Sequence, residues 1–152
     1  MSTKTEEAKI IFSKGFNCAQ SVLSVFAPEV GLKSEDALRV SGAFGAGMGC
    51  MGEVCGAVTG AFMAIGLHSA KTKPGEDDKK LRGYQMVTEF TRLFCHKHQT
   101  IQCRTLIGLD LSTEEGMATA VAENRFHTHC AMYVNGAVEI LESMLKLSEK
   151  KK

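Results

Sequence analysis

Apolar residues recur at spacings of three and four along most of this chain, the period of an α-helix. From residue 5 to about 27, Ala8, Ile11, Phe12, Val22, Val25 and Phe26 mark one apolar side, and Cys18 falls on it. Thr5 is expected to cap this segment, with Glu6 and Glu7 in the first turn. Gly15 is expected to bend or split it, and Pro28 and Gly31 to close it. Ser34 opens a second helix whose buried side is Ala37, Leu38, Val40 and Phe44. A glycine loop follows from Gly45 to Gly52, and a new helix is expected from around Glu53 to Ser69. Lys71–Lys80 is a charged loop with Pro74-Gly75 as its turn signal.

From Glu76 to His98 the pattern is again helical, through Leu81, Tyr84, Val87, Phe90, Leu93 and Phe94. Ile101–Gly108 reads as a short turn of helix that carries Cys103 and stops at Gly108. Ser112-Thr113-Glu114-Glu115 suggests a capping box before a short helix to Asn124. The last helix is expected from near Arg125 to about Glu149, with Cys130, Val134, Ala137, Val138, Leu141, Met144 and Leu145 on one face. No stretch alternates with period two. The expected fold is all-α: one domain over residues 1–152, a compact bundle of five to six helices with a glycine-rich loop before the central one.

That central stretch is unusual. Eight of the chain's 15 glycines lie between Ser41 and Leu67, with Cys50 and Cys55 among them and Glu53 as the one charge. Gly56, Ala57, Gly60, Ala61 and Ala64 leave almost no bulk on one side of its helix, which suits close approach by another helix. The same face is able to pair with a second chain, so a homodimer is an open expectation.

Composition narrows the function classes. The 152 residues carry a net charge of +1, which argues against general nucleic-acid binding. The longest apolar run, Val54–Leu67, is too short to span a membrane. The opening MSTKTEEAKII has no apolar signal-peptide core, so a cytoplasmic location is expected. Thiols there are kept reduced, which turns six cysteines toward metal, cluster or redox roles.

Cys55, at the expected helix start, is the first candidate. Unpaired amides and the positive dipole end favour a thiolate, the form that attacks electrophiles and binds metals. Neighbouring Glu53 opposes an extreme fall in its pKa. Cys18, Cys103 and Cys130 sit on or beside apolar helix faces, so four sulfurs from four helices are able to meet in the core. Four sulfurs suit zinc, an iron–sulfur cluster or two dithiol pairs. No CxxC pair settles the choice. Cys50, five residues before Cys55, is placed to serve as a resolving thiol. Cys95-His96-Lys97-His98 and His127-Thr128-His129-Cys130 are weak zinc signals, better read as surface histidines near helix ends. Gly45-Ala46-Gly47-Met48-Gly49 is not a nucleotide loop, because no strand precedes it and no Gly-Lys-Ser/Thr follows.

Asn17-Cys18-Ala19-Gln20, Gly52-Glu53-Val54-Cys55-Gly56-Ala57-Val58-Thr59-Gly60-Ala61, Cys103-Arg104 with Leu106-Ile107-Gly108, and Cys130 together resemble the C_GCAxxG_C_C family of redox-active proteins. The resemblance runs from about Lys4 to Leu145, and Cys55–Gly60 is its most specific part. It implies four family cysteines, matching Cys18, Cys55, Cys103 and Cys130, in a bacterial or archaeal redox protein often linked with transporter or oxidoreductase functions. A similar cysteine module in split-Soret cytochromes is associated with an iron–sulfur cluster. Haem is not implied, since this chain has no CxxCH. Cys50 and Cys95 lie outside the family pattern.

Three functions are therefore expected, in order. The first is electron transfer by an iron–sulfur cluster ligated by Cys18, Cys55, Cys103 and Cys130. The second is thiol–disulfide or peroxide chemistry with Cys55 as reactive thiolate and Cys18 as the other catalytic sulfur. The third is a zinc-stabilised interaction module on the same four cysteines. The expected partner is a redox protein or a small oxidant or reductant.

Overall fold

The computed structural model describes residues 2–150, with side chains from 2 to 146. Among them are eight α-helices and no strand, so the all-α expectation holds while the count of five to six is too low. One of the extra helices comes from a segment that a single apolar period had joined. This segment splits at Gly15, whose φ is +95°, into α1 (Thr3–Ser13) and α2 (Cys18–Phe26). Its cap is Ser2, which accepts from the Thr5 amide; Thr5 itself is a buried residue inside the helix. Asn17 starts α2 through a reciprocal capping box with Gln20, at 2.9 and 3.0 Å. A 3₁₀ turn at Ala27–Val30 carries Pro28 and ends at Gly31.

α3 (Ser34–Ser41) begins at Ser34 without a side-chain cap. Ala37 is buried there, but Val40 points to solvent. The stretch before the central helix is more than a loop. Residues 46–50 all have positive φ, from 55° at Ala46 to 71° at Gly47, which makes one left-handed helical turn. The central helix α4 (Gly56–Ser69) starts three residues later than expected, which leaves Cys55 as its N-cap.

α5 (Asp77–His98) buries Phe90 and Phe94 and leaves Leu81 and Tyr84 exposed, because its first turns extend past the core. α6 (Cys103–Ile107) stops at left-handed Gly108 as expected. α7 (Glu114–Ala122) is capped by Thr113, but the residue at the third helical position is Gly116, so no capping box forms. A π turn, Phe126–Cys130, then passes directly into α8 (Ala131–Lys150).

The core lies between α2 and α4, with α1, α5 and α8 packed around them. The small-residue face of α4 explains the closest contact. A Cβ at Gly60 would lie 2.7 Å from the Ala19 carbonyl oxygen, and one at Gly56 would lie 3.1 Å from the Ala19 nitrogen. This face is therefore filled by α2 of the same chain and offers no surface to a second copy.

Candidate redox site

Three of the four candidate cysteines stand at the start of a helix, and the fourth at a junction between two helical elements. Cys18 is the first residue of α2, fixed by the Asn17 cap. Cys55 caps α4, and Cys103 is the first residue of α6. Cys130 stands where the π turn passes into α8. The extra residue of a π turn rotates the side chains that follow it, a device common at functional sites. All four are 5–8% exposed and belong to the main apolar core.

Two segments are laced together to hold Cys55 against Cys103. The Cys55 amide donates to the Ile101 carbonyl at 2.8 Å, and the Cys103 amide donates to the Glu53 carbonyl at 2.6 Å. Val54 and Gln102 form an isolated antiparallel bridge between them, and the Arg104 amide donates to the Gly52 carbonyl at 3.1 Å. Glycines make the approach possible. A Cβ at Gly47 would lie 2.7 Å from the Cys103 Cβ, and one at Gly56 would lie 3.1 Å from the Cys18 Cβ.

The result is a cavity of about 520 Å³ that all four cysteines line. Its other walls are mainly apolar or aromatic, with Phe12, Phe16, Leu106, Leu111 and Phe126 among them. Two polar groups on the wall are already satisfied. Tyr133 donates its hydroxyl to the Leu106 carbonyl at 2.8 Å, and Asn17 donates to the Gly42 carbonyl at 3.0 Å.

Electrostatics follow from burial and from the crowding of sulfurs. Burial pushes the Cys55 thiol up to about 12, and Cys103 and Cys130 add to the rise. The amides of Ala57 and Val58 pull it the other way and lose. The sequence-based expectation of a lowered Cys55 pKa is thus overturned: desolvation outweighs the helix start. Burial also pushes Cys103 to about 12, with Cys130 and Cys50 raising it further and Arg104 lowering it. The lowered thiol is Cys130, because Cys18 donates a hydrogen bond to its sulfur, and the same bond drives Cys18 well above its usual range. Tyr133 is raised by burial first and then by Cys130, Cys55 and Cys103.

Other candidates separate cleanly. Cys50 reaches the cavity from the left-handed turn and is half-buried, whereas Cys95 lies on α5 away from it. His127 borders the cavity mouth with its ring edge-on to Phe12, 6.2 Å between centroids. His129 pairs with Thr128, and His98 packs on Phe94 and Tyr133 outside the cavity. Among the described residues no three His, Cys, Asp or Glu side chains are gathered closely enough to hold a single metal ion. Sequence reasoning missed Tyr133, the left-handed turn and the π turn. Tyr133 had a readable signal, since it lies three residues after Cys130 on the same helical face.

Fold and site together define an all-helical protein with a cysteine-lined cavity. A family model described as "Putative redox-active protein (C_GCAxxG_C_C)" matches residues 16–144, and the chain belongs to that family. No curated protein and no solved structure matches it. The family's redox character sets the general role, and among the described residues no helix is long and apolar enough to cross a membrane.

Proposed function

We propose that Cys18, Cys55, Cys103 and Cys130 ligate an iron–sulfur cluster and that the protein exchanges electrons with a redox partner or a small oxidant or reductant. The observation that carries this reading is the spread of four sulfurs from four separate elements around one apolar cavity. Four thiolates match the donor set of an iron–sulfur cluster, and the apolar walls suit its shielding from water. A bound cluster supplies one-electron transfer at a potential set by its surroundings.

The chain's own residues have definable tasks. The apolar walls exclude water, and the laced segments fix Cys55 relative to Cys103. The buried thiols hold their protons tightly, so loading expels protons and is favoured by rising pH. Tyr133 ties α8 to α6 beside the sulfurs through its bond to Leu106.

The test is anaerobic reconstitution with ferrous iron and sulfide, followed by metal and labile-sulfide analysis. Wild type is expected to retain both. Single Ser variants of Cys18, Cys55, Cys103 and Cys130 are expected to lose most of the bound iron, and Cys95→Ser to retain it. Equal iron in all five variants contradicts the reading.

One observation favours a second reading, thiol–disulfide exchange. Cys18 and Cys130 adjoin in the cavity wall, and their mutual hydrogen bond lowers Cys130 while raising Cys18, so a thiol pair lies in reach of disulfide formation. In this reading Cys130, not Cys55, is the nucleophile. It is the correct reading if the protein retains no metal and Cys130→Ser abolishes reduction of a small disulfide.

A further inference from the structure

Cys50 is the cavity cysteine that the family pattern does not use. It differs from the four ligand candidates in being half-buried, so solvent reaches it while they are enclosed. It also has a φ of +68°, a left-handed conformation that an L-residue adopts only under strain. That strain is maintained by a defined frame. The Glu53 amide donates to the Gly47 carbonyl at 3.0 Å, and the Cys103 amide donates to the Glu53 carbonyl at 2.6 Å. The backbone at Gly47 rests against the Cys103 Cβ. Arg104 closes the frame by donating to the Met51 carbonyl at 3.2 Å, which sets a guanidinium one residue from Cys50; its carboxylate neighbour is Asp110 at 3.6 Å. A half-exposed thiol and a second, enclosed thiol in the same cavity, close enough for Cys50 to act on Cys103 electrostatically, are the parts of a peroxide-reactive pair.

We propose that Cys50 is a hydroperoxide-reactive thiol and Cys103 its resolving partner, so that oxidation of the cofactor-free protein closes the cavity with a Cys50–Cys103 disulfide. The Cys50 thiolate attacks one peroxide oxygen and the O–O bond breaks. The second oxygen leaves as an alcohol, or as water from hydrogen peroxide, and Cys50 becomes a sulfenic acid. The Cys103 sulfur then attacks the Cys50 sulfur, the S–O bond breaks and water departs. In total, two thiols give two electrons and two protons to the peroxide and end as one disulfide. Cys103 then has no free sulfur for a cofactor, which makes loading of the site dependent on its redox state. The disulfide itself does not depend on the cluster reading.

The experiment treats cofactor-free, full-length protein with one equivalent of hydrogen peroxide, alkylates the remaining thiols and maps peptides without reduction. The expected result is a cross-link between the Cys50 and Cys103 peptides, two fewer alkylated thiols, and recovery of both with a reductant. Cys50→Ser and Cys50→Gly, the second suited to the positive φ, are expected to lose the cross-link and to consume peroxide several-fold more slowly. Both are expected to load iron as wild type does, unless the cluster reading itself fails, which wild-type reconstitution reports separately. A wild-type cross-link that joins Cys18 to Cys130, or unchanged peroxide consumption in both Cys50 variants, overturns the proposal.

Discussion

Cys55 shows how position and environment compete at one residue. Its place at a helix start favours a thiolate, but only the amides of Ala57 and Val58 act on it from close range, and full burial overrides them. Glycines a few residues away decide whether the sulfurs meet at all. Gly60 is a clear case within a regular helix, because a Cβ there meets backbone of α2 rather than the end of a movable side chain. Gly60→Ala is therefore expected to destabilise the protein by about 1–3 kcal/mol despite its better helix propensity, read from the urea midpoint. Gly66 is the control. Nothing lies within 4 Å of a Cβ there, so Gly66→Ala is expected to be neutral or stabilising. The small-residue face was legible in the sequence for this reason: Gly56 and Gly60 four apart have few explanations other than close approach. The pKa order of the cysteines was not legible, since it depends on which sulfurs face one another across the cavity.

At the scale of elements, the helices with a sustained period were readable, and α5 begins within a residue of its expected start. What escaped the pattern were local conformations imposed by distant contacts. The left-handed turn is one. Nothing local favours positive φ at Ala46, Met48 and Cys50, and the turn persists because it is laced to the start of α6. Such strain is releasable. Ala46 has φ 55° and ψ 42°, where glycine is at ease, so Ala46→Gly is expected to stabilise the protein by about 1 kcal/mol. A rise in the urea midpoint at constant slope checks this, and a fall shows that packing of the Ala46 methyl outweighs the strain. The π turn before α8 is the second case. Phe126–Cys130 looks like ordinary helix in sequence, yet it shifts the register that aims Cys130.

For the whole molecule, the burial of several thiols has a consequence for pH. Thiols whose pKa rises on folding hold their protons more tightly in the native state. Their contribution is complete below the unfolded thiol value of about 8.5 and is lost as pH climbs toward about 12. Cys18 acts in the same direction, and Cys130, which is lowered, offsets part of it. Cofactor-free protein is expected to lose stability steadily above about pH 8.5, and Cys55→Ser to show a shallower decline in urea titrations across that range. The four-sulfur convergence was readable only as a possibility, because faces assigned to separate helices do not say where those helices cross. Its chemistry is most directly tested by iron X-ray absorption on the anaerobically reconstituted protein. The account expects a first shell of sulfur alone together with a short iron–iron distance, both lost in Cys103→Ser. A single iron without an iron neighbour, or a first shell rich in oxygen or nitrogen, contradicts it.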